Sequence, residues 1–335
     1  MARTMGQKEK WRGVSDPLIL NKTYESRLYM LPLKGSIERS HTIWSGDYWP
    51  LNKGIINYRW NAYSYDQISS PSKSELENMS QAEIAQLSPS EKFDIINHRF
   101  DYPLKKLVQE NANPLAQDWE GICHGWAMAS LHHQEPNPKI IIGPKGIAIP
   151  FGSSDIKGLL SYFYAFASKT RDYRQMGSRC NSEVGNQDEN CEEDLNAGAF
   201  HIILANQIGL ESKSFIVDTY RLNQVWNHPV LSFETIILKE VKPSTGAAAG
   251  TKRSTLVRTK IQYISESKNS WYPQNGTRER ILKFQHLDYV LEINIYGEII
   301  GGMWKSKERP DFLWIEDKTQ KFSGHFSKLS ELLND

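Results

Sequence analysis

The side chain in this sequence best suited to nucleophilic chemistry is Cys123, set in the stretch "AQDWEGICHGWAMASLHH" between an isoleucine and a histidine. Small and apolar residues follow it at helical spacing, so the cysteine falls in the first turn of an expected helix. Such a turn aims backbone N–H groups and a positive partial charge at whatever it carries. A thiol held there ionises more readily than a free one, and the thiolate is the reactive form. The same N–H groups can hold the oxyanion of an acyl-transfer intermediate. Gly121 and Gly125 flank the position and are expected to leave space for a substrate backbone. The competing expectation is an inert buried cysteine, because unpaired cysteines are among the most buried residues.

A thiolate nucleophile needs an imidazole, and the imidazole needs an orienting acid or amide. Nine histidines are available. His124 follows the cysteine directly and points to another side of the helix, while His132 and His133 lie two turns or more away. His98, His228 and His286 read as lying near helix or loop ends. His201 stands apart within "AFHIILANQIGL", where most neighbours are apolar. That stretch and "KSFIVDTY" read as two strands around Gly209-Leu210, a pair suited to the tip of a tight type II′ hairpin. Pairing about the tip sets Ile208 against Glu211 and His201 against Asp218. Opposed residues share a face with Cβ atoms about 4.5–5.5 Å apart, within reach of an imidazole–carboxylate hydrogen bond. Aspartate is disfavoured in strands, which makes Asp218 stand out further. Asn227 in "VWNHPV" is the second choice for the orienting group; Asp194 and Glu234 are weaker ones.

The elements that must position these residues are legible in outline. Residues 1–70 hold four tryptophans (11, 44, 49 and 60) among Gly, Pro and Asn, and read as an irregular arm lying on another surface. Residues 71–112 form a helical segment, since Ser80-x-x-Glu83 and Ser88-Pro89-Ser90-Glu91 each fit a capping box. Residues 113–335 read as the domain that carries the chemistry, unless one continuous domain begins near residue 40. The expected helix at Cys123 stops before Pro136, and "SSDIKGLLSYFYAFASK" reads as a buried helix with a serine cap. From residue 199 onward the chain reads as strands, with "PSTGAAAGTKRS" as the tip joining two of them. Helices first and antiparallel strands later give an α+β class.

Composition narrows the function. Lys and Arg number 40 against 39 Asp and Glu, so neither a nucleic acid nor an anionic membrane is an expected partner. The longest apolar runs are too short for a transmembrane segment. The start, "MARTMGQKEKWRG", lacks the apolar core of a signal peptide, as expected of a cytosolic protein or of a mature exported one. Cys180 and Cys191 lie in one polar loop, where a disulfide would stabilise by roughly 2–3 kcal/mol. Two bridged cysteines and one lone thiol favour export. No CxxC and no His pair at i, i+4 is present, and "NQDENCEED" lacks the ligand spacing of a calcium loop, so no metal is expected. Ten Trp, fifteen Tyr and twelve Phe supply a core of large side chains or line a groove for extended ligands.

Several blocks together, "WSGDYWP", "LSPSEKFDI", "WEGICHGWAMAS", "NAGAFHIILANQIGL", "SFIVDTYRLNQVWNHPV" and "GGMWKSKERPDFLW", resemble the transglutaminase elicitor family. The resemblance covers most of the chain from about residue 40. It implies a transglutaminase- or papain-like core, with the catalytic cysteine at a helix N-terminus packed on an antiparallel sheet. It also implies an acyl-transfer triad of Cys123, His201 and Asp218, working without a cofactor. The expected reaction passes the acyl group of a protein glutamine to a lysine or other primary amine, giving an isopeptide crosslink. Trp119 and Trp126 are then candidates for the oxyanion site or the substrate groove, and Trp304 for its wall. The expected partners are proteins bearing glutamine and lysine, and the expected location is secreted or periplasmic. Two other activities stay open: a cysteine protease or glutamine deamidase with water as acceptor, and a non-catalytic aromatic-rich binding protein.

Overall fold

The computed structural model describes residues 11, 13–61, 69–167, 173–179 and 195–333. Cys180, Cys191 and Asp194 lie outside the described residues, and with them the expected disulfide. In chain order the elements begin with β1 (Lys34–Ser36), α1 (Lys73–Asn78), α2 (Gln81–Ala85), α3 (Pro89–Ile96), α4 (Pro103–Asn111) and α5 (Cys123–His132). Next come β2 (Lys139–Ile142), β3 (Ala148–Phe151), α6 (Ser153–Tyr162), β4 (Tyr173–Gly177), α7 (Ala197–Ile203) and β5 (Ile216–Asp218). The rest are β6 (Asn227–Val241), β7 (Arg253–Ile264), β8 (Leu282–Ile293), β9 (Ile299–Trp304), β10 (Phe312–Glu316) and α8 (Leu329–Leu332).

These elements fall into two compact units. One comprises residues 1–40, 172–264 and 282–317; the other comprises residues 41–171, 265–281 and 318–335. The second is mostly helical, and its helices start where side chains can cap them. Ser72 with Glu75, Ser80 with Glu83 and Ser88 with Glu91 each form a reciprocal capping box. At α6 the expected serine cap is replaced by Gly152, whose N–H is held at 2.7 Å by the Asp155 carboxylate. All ten residues of α6 are buried, including Asp155 and Lys157.

Charges buried this deeply need partners. Lys92 Nζ lies 2.7 Å from Asp155 with both side chains 0 % exposed, and the Trp60 indole N–H donates to the other carboxylate oxygen at 3.0 Å. Lys157 pairs with Glu135 at 2.5 Å and donates to the Ser45 carbonyl at 2.8 Å. Replacing one partner alone strands the other charge, so Asp155→Ala should cost about 3–5 kcal/mol in chemical denaturation. Removing both charges with Asp155→Leu and Lys92→Met should recover the part of that loss due to the stranded Lys92 charge, and not the part due to the Gly152 and Trp60 N–H groups left without an acceptor. An equal loss in the single and double variants would show that the pair's charge is not what matters.

The first unit is built on an eight-stranded antiparallel sheet. Its order is β4-β10-β5-β6-β7-β8-β9, with β1 attached to β6. β6, β7 and β8 are long neighbours in sequence, and the segment 242–252 joins β6 to β7 as the expected tip. Along them buried apolar residues alternate with others, as a sheet with one packed face requires. Val257, Ile261, Leu287, Tyr289 and Leu291 enter one core together with Phe200, Ile203 and Leu204.

One expected strand is a helix. "AFHIILANQIGL" forms α7 and a π-helical continuation, Leu204–Leu210, so the hairpin about Gly209-Leu210 does not exist. The physical reason is a side-chain cap at the start and burial on every side. Asn196 caps the start, its side chain accepting from Gly198 N at 2.9 Å and Ala199 N at 3.4 Å. The run itself is apolar on every side, and a fully buried segment shows neither a strand's nor a surface helix's period. At residue 198 a Cβ would lie 2.3 Å from the Gly301 carbonyl oxygen, so glycine is what lets α7 approach β9.

Candidate active site

Cys123 is the first residue of α5, as the spacing of its neighbours predicts, and it is 5 % exposed. The N-cap residue, Ile122, has no side chain able to cap the turn. The chain entering the helix is fixed by backbone pairing with the tryptophan-rich segment. Ile122 N–H donates to the Tyr48 carbonyl at 2.7 Å and Leu51 N–H to the Glu120 carbonyl at 2.9 Å, beside a bridge between Pro50 and Gly121. Residues 48–51 are thus a brace for the cysteine turn. The two glycines do not make room for substrate. A Cβ at residue 121 would lie 2.4 Å from the Tyr48 oxygen, and one at residue 125 only 2.1 Å from the Ser161 oxygen. The protein's own backbone occupies that space, and Gly125 allows α5 to pack closely on α6.

Of the tryptophans, Trp126 is fully buried within α5, and Trp119 is partly exposed with its indole N–H on Gln117 Oε1 at 2.7 Å. Trp304, expected as a groove wall, belongs to the first unit's core packing. Its ring centroid lies 5.3 Å from Phe200 and 5.2 Å from Tyr289, and its indole N–H donates to the Leu195 carbonyl at 2.6 Å.

His201 and Asp218 both belong to the first unit, but the structure does not bring them together. His201 is 0 % exposed on α7, with Nδ1 2.7 Å from the Tyr289 hydroxyl. That hydroxyl lies 2.7 Å from Thr259 Oγ1, which lies 2.7 Å from Thr235 Oγ1 on β6. Burial lowers the His201 pKa to about 4, so the ring is neutral at neutral pH. Asp218 ends β5 and is opposed in register to Asn227, not to His201. Asn227 and Thr235 are eight residues apart on β6, about 26 Å at about 3.3 Å per residue, while only three short hydrogen bonds separate Thr235 from His201. The faces differ as well. Val217 enters the core that contains Tyr289, so Asp218, the next residue on the strand, points to the other face.

Asp218 is nevertheless an unusual carboxylate. It is 0 % exposed, and its Oδ1 accepts from Trp226 N at 2.9 Å and Tyr220 N at 3.2 Å. Burial raises its pKa to about 7, against the opposing effect of those two N–H groups. The folded state therefore holds the proton more tightly than the unfolded state does. This contribution to stability is fully present below about pH 4 and is lost as pH rises through about 7. Asp218→Asn should remove a decline of about 1.4 kcal/mol per pH unit over that interval, measured by urea unfolding from pH 4 to pH 8. Parallel stability curves for the two proteins would refute the assignment.

Next to Asn227 on β6 is a histidine outside the expected triad. His228 is a β6 residue opposed to Val217, 3 % exposed, with Nδ1 2.9 Å from Thr219 Oγ1 and its ring centroid 4.8 Å from that of Tyr263. Asn227, its neighbour, accepts from the Trp314 indole at 2.8 Å. The end of the β5–β6 hairpin thus holds Asp218 and Asn227 on one face, and Thr219 and His228 on the other. A signal for this was present in the sequence: "SFIVDTY" and "VWNHPV" flank the polar "RLNQ", which reads as the loop of a hairpin.

A model of the family described as transglutaminase elicitor matches residues 109–325. The chain belongs to the transglutaminase elicitor family. Cys123, His201, Asp218 and His228 all fall inside the matched region. A structure described as the crystal structure of the GP42 transglutaminase from Phytophthora sojae is similar to this chain with a TM-score of 0.72. That likeness covers 96 % of this chain and 97 % of the other at 21 % identity, and it shows a shared fold. No curated protein matches this member of the family in sequence. Among the described residues of the family member, no helix is long and apolar enough to cross a membrane. No group of three or more His, Cys, Asp or Glu among them could hold a metal ion.

Proposed function

We propose that the protein is a thiol acyltransferase of the transglutaminase kind with Cys123 as its nucleophile. The observation that carries this reading is Cys123 at the first position of α5 in a chain whose residues 109–325 match the transglutaminase elicitor family. In the proposed reaction the thiolate attacks the side-chain carboxamide of a protein glutamine. The amide nitrogen takes up a proton, the C–N bond breaks, ammonia leaves, and a thioester remains on the sulfur. A primary amine then attacks the thioester, loses a proton and regenerates the thiol, giving an isopeptide bond. The positive end of α5 supports both the thiolate and the tetrahedral oxyanion.

For the proton carrier we propose His228 ahead of His201, the imidazole that the family resemblance implies. A general base must become charged during turnover. His201 would do so inside an apolar core that favours its neutral form. His228 stands near the end of β6, 3 % exposed and packed against Tyr263, with the Thr219 hydroxyl fixing its ring through Nδ1. Asp218 and Asn227 are then positioning residues that hold the end of the hairpin. The reading includes export from the cytoplasm, a bridge between Cys180 and Cys191, and proteins bearing glutamine and lysine as substrates.

The test is incubation with a glutamine-bearing polypeptide and a fluorescent primary amine. Incorporation of label supports transamidation. Ammonia without label would make the protein a deamidase, and new peptide ends would make it a protease. No turnover in any arm would leave a non-catalytic binding protein.

A further inference from the structure

We propose that the first unit carries a second, separate binding site, for a primary alkylammonium group, on the face of β7 and β8 turned away from the core. The inference is independent of the acyl-transfer reading. Val257, Tyr289 and Leu291 point into the core, so Ser254, Leu256, Val290 and Glu292 point to the opposite face. A cavity of about 310 Å³ lies on that face, lined by Ser254, Leu256, Val290, Glu292 and Met303 among others. This is the lower end of the range for small-molecule sites.

Two polar groups in the cavity lack what their burial demands. Ser254 is 1 % exposed, and among the described residues its Oγ has no hydrogen-bond partner. Glu292, directly opposed to it in register, is 6 % exposed. Its carboxylate accepts from Ala248 N at 2.9 Å, and among the described residues it forms no ion pair. Desolvation raises its pKa, as expected of a carboxylate without a counter-charge. A cation supplied by a ligand would meet that demand.

The surroundings select the kind of cation. A Cβ at residue 301 would lie 2.4 Å from Glu292 Oε2, so Gly301 provides the space in which the carboxylate sits. Leu256, Val290 and Met303 offer an apolar wall to an alkyl chain. Asp288, also in the lining, is already engaged by Arg258 through two hydrogen bonds of 2.7 Å. A hard metal ion would need six or more oxygen ligands, which one unengaged carboxylate and one hydroxyl do not supply. An ammonium group can donate to both Glu292 and Ser254 while its chain covers the apolar wall. Lys242 and Lys305 also line the cavity; their charges oppose a cation, which confines the ammonium group to the Glu292–Ser254 end and disfavours a second positive charge on the ligand.

The experiment is calorimetric titration of the full chain with n-pentylamine hydrochloride, and with sodium hexanoate as the anionic control. Saturable binding of pentylamine at one site is expected, with none of hexanoate. Glu292→Gln should weaken it roughly tenfold or more. Met303→Trp, which fills the cavity without touching the carboxylate, should abolish binding at an unchanged melting temperature. This second variant keeps the test decisive if the first fails to fold. Cys123→Ala should bind as the parent does, which separates the site from the proposed reaction. Acetyl-lysine methylamide distinguishes the two sources of the group: binding extends the site to lysyl side chains of proteins, and failure restricts it to free amines. Absence of saturable pentylamine binding, equal affinity in Glu292→Gln, or loss in Cys123→Ala would overturn the proposal.

Discussion

Cys123→Ala is expected to lower amine incorporation by about a thousandfold or more while leaving the fold intact. Without sulfur no thioester forms, so the two-step route disappears; binding and oxyanion stabilisation alone cannot replace it. The structural cost should be small. Alanine keeps the helix-start geometry, is the best helix former, and removes one heavy atom from a position that is 5 % exposed. Circular dichroism and the melting temperature of the variant should therefore match those of the parent. Retained incorporation in a folded Cys123→Ala protein would end the thiol mechanism and leave Cys123 as a packing residue of α5.

The second large effect separates the two imidazoles. His228→Asn keeps a side chain able to bond with Thr219 but cannot carry a proton, so kcat should fall by about 10²–10⁴ with KM little changed. His201→Gln should behave differently. It disturbs the Tyr289–Thr259–Thr235 chain in the core, so the melting temperature should drop, while the folded fraction should keep kcat within a few-fold of the parent. The opposite pattern, with His201→Gln catalytically dead and His228→Asn active, would restore the reading that the sequence alone suggests.

Those two histidines show where reading the sequence succeeds and where it stops. Local chemistry is legible. The Ser-x-x-Glu boxes at residues 80–83 and 88–91 start α2 and α3, because capping depends only on neighbours within one turn. Cys123 opens α5 for the same kind of reason. The alternating runs after residue 230 become β6, β7 and β8, since a sheet with one buried face imposes a period of two. The family resemblance rests on these same local blocks.

What the sequence could not decide is which distant residues meet. The run around His201 is apolar throughout, and burial on all sides erases the period that separates helix from strand. Once it folds as α7, the imidazole turns to Tyr289, a residue 88 positions away in the chain. Asp218 and His228 depend on the register between β5 and β6, and a one-residue slip in that pairing exchanges the faces they occupy. Gly121 and Gly125 looked like space for a substrate, and only packing reveals the Tyr48 and Ser161 carbonyls that fill it. By itself the sequence determined the α+β class, the capped helices and the position of the thiol, because each depends on neighbours a few residues apart. The tertiary structure decided the partners of every buried polar group, because those contacts follow from long-range packing that no local spacing records.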